Sequence, residues 1–297
     1  MFIYEAAAIG AASLWAIAGL ISAGPSQHLG AIAFNRTRMG LVFLMLAGYV
    51  ALTSGWGSIS PDHYMPLVLS GFIGIFLGDT ALFLTLNRMG PRRTAMLFSL
   101  NAPMSVILGW LFLSETLTTA QIFGIALTFS GVLLAIRFGK RPSQLHQWES
   151  IRGPLWAGVL LGLGAALSQS IGSLIARPVM ETGADPVAAS SIRVGVAALG
   201  LLLLTQLPFA WVKSAGKLTA GTLALIALSG LIGMGIGMTL ILFALTGGEV
   251  GIIATLSATT PALMLPLLWW RTKEIPALGA WAGAALVVVG SALLFMN

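Results

Sequence analysis

The sequence predicts an all-α integral membrane protein, with ten transmembrane helices arranged as two inverted five-helix repeats around a central cavity. Three observations carry this expectation. The chain of 297 residues is 57% hydrophobic and only 8% charged, whereas a soluble domain carries roughly 25% charged residues. It contains ten apolar segments of spanning length. Its two halves resemble each other.

A membrane-crossing helix needs about 20 mostly apolar residues. Such segments fall at 4–23, 32–53, 65–87, 94–113, 119–137, 154–176, 187–207, 220–245, 250–270 and 276–296. Period-2 alternation is absent, and backbone groups in lipid must be bonded within their own segment, so helices are the expected form. The longest connection, 137–153, falls at the middle of the chain. The first twenty residues lack a basic leader region, so no cleavable signal peptide is expected.

Taken in order, span 1 carries Trp15. Spans 2 and 7 carry Arg38 and Arg193 at equivalent places a few residues inside their ends. Both side chains are expected to snorkel to the headgroups; the alternative is recognition of a substrate carboxylate from each mouth. Span 3 contains "GFIGIFLGDTALFLTL", in which Asp79 is the one acid placed deep in a span. A charge at that depth costs about 3 kcal/mol on insertion scales, so it must face protein or water. Two roles stay open for it: a substrate-amine contact or proton carrier, or a structural pair with Arg38 or Arg193. The first role is favoured by polar neighbours without full charge, namely Thr80, Asn101 and Gln169. Gly78 and Leu82 accompany Asp79 on its helix, and Met238 is its counterpart in span 8. The glycines at 71, 74 and 78, and at 230, 233 and 237, share one helix face each, a pattern that favours close helix contacts.

Spans 4 and 9 contain Pro103 and Pro261, each of which removes a backbone bond and frees a carbonyl. Ser99 and Asn101 precede the first; Ser257, Thr259 and Thr260 precede the second. These polar groups can serve the freed backbone or line a cavity. Span 6 places Ser168 and Gln169 in an otherwise apolar helix, with Gln169 matching Trp15 of span 1. Spans 5 and 10 carry glycines and little polarity, so they are expected at the periphery or at a dimer face, in a monomer or weak homodimer. The candidate substrate site is therefore Trp15, Gly78, Asp79, Leu82, Ser99, Asn101, Ser168, Gln169, Met238 and Thr259.

Charge sets the expected orientation. Loops after spans 1, 3, 5, 7 and 9 share one face, which takes thirteen of the fifteen basic residues, among them Arg36, Arg88, Arg92, Arg93, Lys140 and Lys273. Basic residues in short loops mark the cytoplasmic side, so both termini are expected outside, in an inner-membrane protein. The net charge of +6 is thus a topology signal, and no nucleic-acid partner is implied.

The repeat aligns Ser99, Pro103, Glu115, Gly124 and Gly131 with Ser257, Pro261, Glu274, Gly283 and Gly290. It divides the chain into a first repeat (1–140), a linker (141–153) and a second repeat (154–297). Five spans per repeat is an odd number, so the second enters the membrane upside down. The equivalent loops "NRMGPRR" and "TGGEVG" accordingly have opposite charge character. Inverted repeats are the architecture of many secondary transporters.

Two five-span units, each with a proline-containing fourth helix, a loop glutamate and a glycine-dotted last helix, resemble the EamA-type members of the drug/metabolite transporter superfamily. The residues that carry the resemblance are Pro103, Glu115, Gly124 and Gly131 with their partners in the second half. Within that superfamily the chain is most similar to bacterial ten-helix exporters of aromatic amino acids. The resemblance implies a secondary transporter of small amphipathic or zwitterionic metabolites, working by export or facilitated diffusion. The alternatives kept open are drug efflux by proton antiport and a channel or scaffold.

Other chemistry finds no support. Paired intramembrane acids and an intramembrane histidine base are both missing, so no protease is expected. No HExxH or metal-ligand cluster exists, and there is no cysteine. No cofactor is expected. A phosphate-carrying solute would require a cluster of buried bases, whereas only Arg38 and Arg193 reach inward.

Overall fold

The computed structural model describes residues 3–112, 116–141, 146, 148, 150–208, 212–247 and 250–294. Glu115, the proposed match of Glu274, and Glu249 lie outside the described residues. Ten span-scale helices are present: α1 (Ile3–Leu29), α2 (Ala31–Thr53), α3 (61–89), α4 (91–112), α5 (Thr119–Phe138), α6 (Leu155–Glu181), α7 (Pro186–Leu204), α8 (Ala220–Ala244), α9 (250–272) and α10 (Leu278–Leu293). Among the described residues, six helical segments are each long and apolar enough to cross a membrane. Every described element is helical.

Three features depart from straight α-helices, and the first two occur in both halves. In α3 the stretch Gly71–Leu77 is a π-helical turn, and in α8 so is Leu231–Gly237. These are sparse in proteins and concentrate at functional sites. Both lie on the glycine repeats, and each ends just before the position of Asp79 or its counterpart Met238. The helices α4 and α9 are broken, at 99–100 and 258–259, just ahead of their prolines. The carbonyls released there are met by hydroxyls. Ser99 donates to Met96 O at 2.7 Å, Thr259 to Leu256 O at 2.7 Å and Thr260 to Ser257 O at 2.8 Å.

The third feature corrects the expected loop after span 3. The helical path runs from Pro61 to Phe98 and is interrupted only at Gly90, whose φ of 78° is left-handed. A side chain there would collide with the Trp148 carbonyl, so glycine alone fits, and Pro91 then opens α4 in its preferred first-turn position. Arg92 and Arg93 are consequently buried in the first turn of α4 and do not sit in a solvated loop. Arg92 Nη1 donates to the Ala135 carbonyl near the end of α5 at 2.7 Å, where a cation is favourable. A smaller difference is that α1 continues through Gly24 and Pro25 to Leu29.

The linker is docked. Trp148 is buried among Leu29, Phe34, Phe83 and Leu86, and the His146 backbone N–H donates to Glu274 Oε1 at 3.1 Å.

Packing follows the pseudo-symmetry. The helices α5 and α10 lie on each other through four glycines. A Cβ at Gly124 would stand 2.7 Å from Gly290 O, and one at Gly131 2.7 Å from Gly283 O. The glycines of these two helices are thus used in the contact between them. Elsewhere α2 packs on α7, α3 on α6 and α7, and α1 on α8 and α9. Five helices in each half set the halves in opposite senses across the membrane.

Candidate functional site

Trp15, Ala18, Gly19 and Ser22 of α1, Asp79, Leu82, Phe83 and Leu86 of α3, Pro91, Thr94, Ala95 and Phe98 of α4, Gln169 of α6, Met234 and Met238 of α8, and Thr260 and Met264 of α9 enclose a central cavity of about 700 Å³, mouth included. Arg38 reaches it from α2. The wall is mostly apolar, rich in methionine and aromatic carbon, with polar groups gathered at few points.

The strongest of these is an ion pair. Arg38 Nη1 donates to Asp79 Oδ2 at 2.8 Å. The two residues are 5% and 8% exposed, so the pair is nearly desolvated. The Arg38 guanidinium also stands 5.0 Å from the Phe83 ring centre, a cation–π distance. Of the two arrangements left open for Asp79, the structure has the pair with Arg38, so a full charge stands beside it as well as the polar neighbours expected there. Helix geometry explains the pairing. Arg38 is the eighth residue of α2, too deep to reach headgroups easily, and close packing over a glycine face turns it inward. Its Nη2 lies 3.2 Å from where a Gly233 Cβ would be, so the side chain crosses the π-turn of the opposite repeat.

Arg193 repeats this arrangement from the other half. It is 1% exposed, the eighth residue of α7, and its Nη2 lies 3.3 Å from a Cβ built on Gly74. Both arginines thus turn inward, where snorkelling was expected. Arg193 Nη1 meets Met238 Sδ at 3.5 Å, the equivalent of Asp79.

Trp15 Nε1 donates to Gly233 O at 2.9 Å, inside the second π-turn, and its ring meets Phe98 edge-on at 6.1 Å. Beyond it lies a second cavity, with Ile241, Leu245 and Ile253 on its apolar side. Asn101, Ser105, Ser170, Ser173 and Ser257 line it, and Trp15 and Gln169 line both cavities. The pseudo-equivalent pair Trp15 and Gln169 is therefore the wall shared by the two cavities.

Of the candidate residues, Trp15, Asp79, Leu82, Gln169 and Met238 line the central cavity, and Asn101 lines the second. Gly78, Ser99, Ser168 and Thr259 stand off both walls. Gly78 faces Ser168, whose Cβ would be 3.2 Å from an added one, and the Ser99 and Thr259 hydroxyls are spent on backbone carbonyls. Tryptophan at Gly78 would break the α3–α6 contact before it filled a cavity. Thr94 and Phe98 were missed as wall residues, and Thr260, one of the polar residues ahead of Pro261, does line the wall.

Two inverted five-helix repeats around a central cavity, with broken helices and paired π-turns beside it, define a carrier-type membrane fold. Comparison narrows the class. The EamA-like transporter family matches residues 2–137 and again 156–296, and the chain belongs to that family. The Bacillus subtilis (strain 168) uncharacterized transporter YyaM is 35% identical over 72 residues, a match spanning only 24% of this chain and 24% of that protein's length. A protein of known crystal structure shares the fold with a TM-score of 0.69 at 18% identity, over 98% of this chain and 96% of its own.

Proposed function

We propose that this transporter moves small amphipathic zwitterions, neutral and aromatic amino acids foremost, through the central cavity by alternating access. The observation that carries the reading is the cavity wall. It offers apolar and aromatic surface from Trp15, Phe83, Phe98 and Met264, with both signs of charge at one point, Arg38 and Asp79. An amino acid with an apolar side chain presents the complement: a carboxylate, an ammonium and an apolar body. The two cavities separated by Trp15 and Gln169 suit a solute site reached from one side at a time. Export or facilitated diffusion across the inner membrane, with both termini outside, completes the reading. The substrate is the partner proposed, and the chain works as a monomer or weak homodimer.

The experiment is counterflow in proteoliposomes. Vesicles preloaded with unlabelled L-phenylalanine should accumulate labelled L-phenylalanine transiently and saturably. Linear, unsaturable entry would indicate a channel, and no entry above empty vesicles would defeat the amino-acid reading. Orientation is tested separately with Gln144→Cys in this cysteine-free chain. An impermeant thiol reagent should leave intact cells unlabelled there and label them after permeabilisation; the reverse would invert the topology.

A further inference from the structure

The arginines of the two repeats are placed alike but partnered differently. Arg38 has a carboxylate at 2.8 Å. Arg193, more deeply buried, has a thioether sulfur at 3.5 Å, and its Nε and Nη2 have no hydrogen-bond partner. Sulfur of this kind is only a weak acceptor. Asp79 lies within electrostatic reach of Arg193 as well as of Arg38, but one carboxylate cannot neutralise two guanidiniums. The group carries a formal net charge of +1, and Arg193 is 1% exposed; an unpaired buried charge is strongly unfavourable.

Met238 is the side chain between Arg193 and the central cavity, since it both accepts from Nη1 and lines the cavity wall. Methionine is unbranched and adapts its shape readily. We propose that Arg193, under Met238, is a concealed carboxylate subsite of the central cavity, and that an anionic group of the solute replaces the thioether on the guanidinium. The solute thereby supplies the carboxylate that Asp79 supplies in the first repeat and that Met238 withholds in the second. Once the thioether leaves, Nη1 offers its N–H to a carboxylate oxygen, a charge-assisted bond stronger than one to sulfur. This rests on the amino-acid reading above for the rest of the solute, but it commits to the carboxylate alone.

The test separates the charges of the solute. Binding of 3-phenylpropionate, phenethylamine and L-phenylalanine to the purified full-length protein in detergent is measured by calorimetry. The wild type should bind 3-phenylpropionate more tightly than phenethylamine. Arg193→Gln should weaken 3-phenylpropionate by on the order of 30-fold or more, the loss seen when a buried charge pair is truncated. Met238→Asp is the decisive variant, and it stands alone should Arg193→Gln fail to fold. It gives Arg193 the partner that Arg38 already has, so it should raise the melting temperature while abolishing 3-phenylpropionate binding. Met238→Leu removes the thioether without adding an acceptor and should retain that binding. A wild type that prefers phenethylamine, or a Met238→Asp protein that melts lower or still binds 3-phenylpropionate as the wild type does, would overturn the subsite. Carboxylate binding that depends on Met238 and Arg193, in a protein giving no phenylalanine counterflow, would instead sink the amino-acid reading and leave the subsite standing.

Discussion

Asp79 and Met238 occupy matching places. Each follows a glycine, Gly78 or Gly237, at the end of a π-helical turn. Each meets the arginine that enters its own half as the eighth residue of the preceding helix. The backbone scaffold is thus nearly the same twice, and the side chain at one position decides whether the local charge is cancelled. Symmetry of this kind fixes where arginines can reach, while a single departure from it creates a site. A carrier needs equivalent halves to exchange conformations, but it needs unlike surfaces to hold a solute in one orientation.

The largest effect expected from this comparison comes from making the first half like the second. Asp79→Asn removes the carboxylate and leaves two buried guanidiniums without one. Breaking a buried pair by deleting one partner costs about 3–5 kcal/mol. Met238→Leu, at the matching place, is a near-isosteric change expected to cost under about 1.5 kcal/mol. Thermal unfolding in detergent should order the two variants by that gap, and Arg38→Gln added to Asp79→Asn should recover part of the loss. Equal stability of the two single variants would remove the ion pair from any structural role.

The next contrast is between the glycines beneath the arginines. A Cβ at Gly71 would lie 2.6 Å from Arg193 O and 2.7 Å from its Cα, both backbone atoms. At the matching Gly230 the nearest atom is Val42 Cγ2, a side-chain methyl at 2.7 Å. A methyl can rotate away, whereas a helix backbone must shift as a unit. Gly71→Ala should therefore destabilise by about 1–3 kcal/mol, as overpacking does, and Gly230→Ala by clearly less. If both are equally tolerated, the close approach of α7 to the first π-turn is looser than these contacts require.

Span number, inversion and the outline of the cavity were legible in the sequence because they follow from additive properties: apolar length, loop charge and a repeat of odd count. The glycine pattern at 71, 74 and 78 also read correctly as a contact face, since all three meet α6 or α7. What could not be read was rotation about helix axes. Arg38 and Asp79 are 41 residues apart in sequence, and whether they touch depends on where α2 and α3 turn their faces. The π-turns change that rotation by altering the backbone register, and no residue pattern announces them beyond the glycines they share with ordinary packing. The same uncertainty kept Thr94 and Phe98 off the list of wall residues and put Ser99 and Thr259 on it. A hydroxyl next to a proline break has a carbonyl to satisfy, and that nearby partner takes it before a cavity can.

The smallest effect concerns the wall shared by the two cavities. Trp15 and Gln169 are matched in the repeat, yet they are held unequally. The Trp15 indole donates to Gly233 O at 2.9 Å, whereas the Gln169 amide makes only a 3.4 Å contact with Ser173 Oγ on its own helix. Trp15 is thus tied to the π-turn of the opposite repeat, and Gln169 is free to turn with its own. On the proposed alternating-access reading, movement between two access states separates α1 from α8 at this bond, because the ring that makes it lines both cavities. Trp15→Phe keeps an aromatic face towards Phe98 and deletes the donor, so stability should fall by about 1 kcal/mol, the net worth of one hydrogen bond. Gln169→Met should change it less. The rates should diverge further than the stabilities. Releasing Gly233 O lowers the barrier to opening, so Trp15→Phe is expected to exchange labelled phenylalanine faster than wild type across a preloaded vesicle, and Gln169→Met at an unaltered rate. Slower exchange by Trp15→Phe at unchanged stability would mean that the indole N–H itself meets the solute, and that the bond to Gly233 O is not what holds the two repeats together at this point.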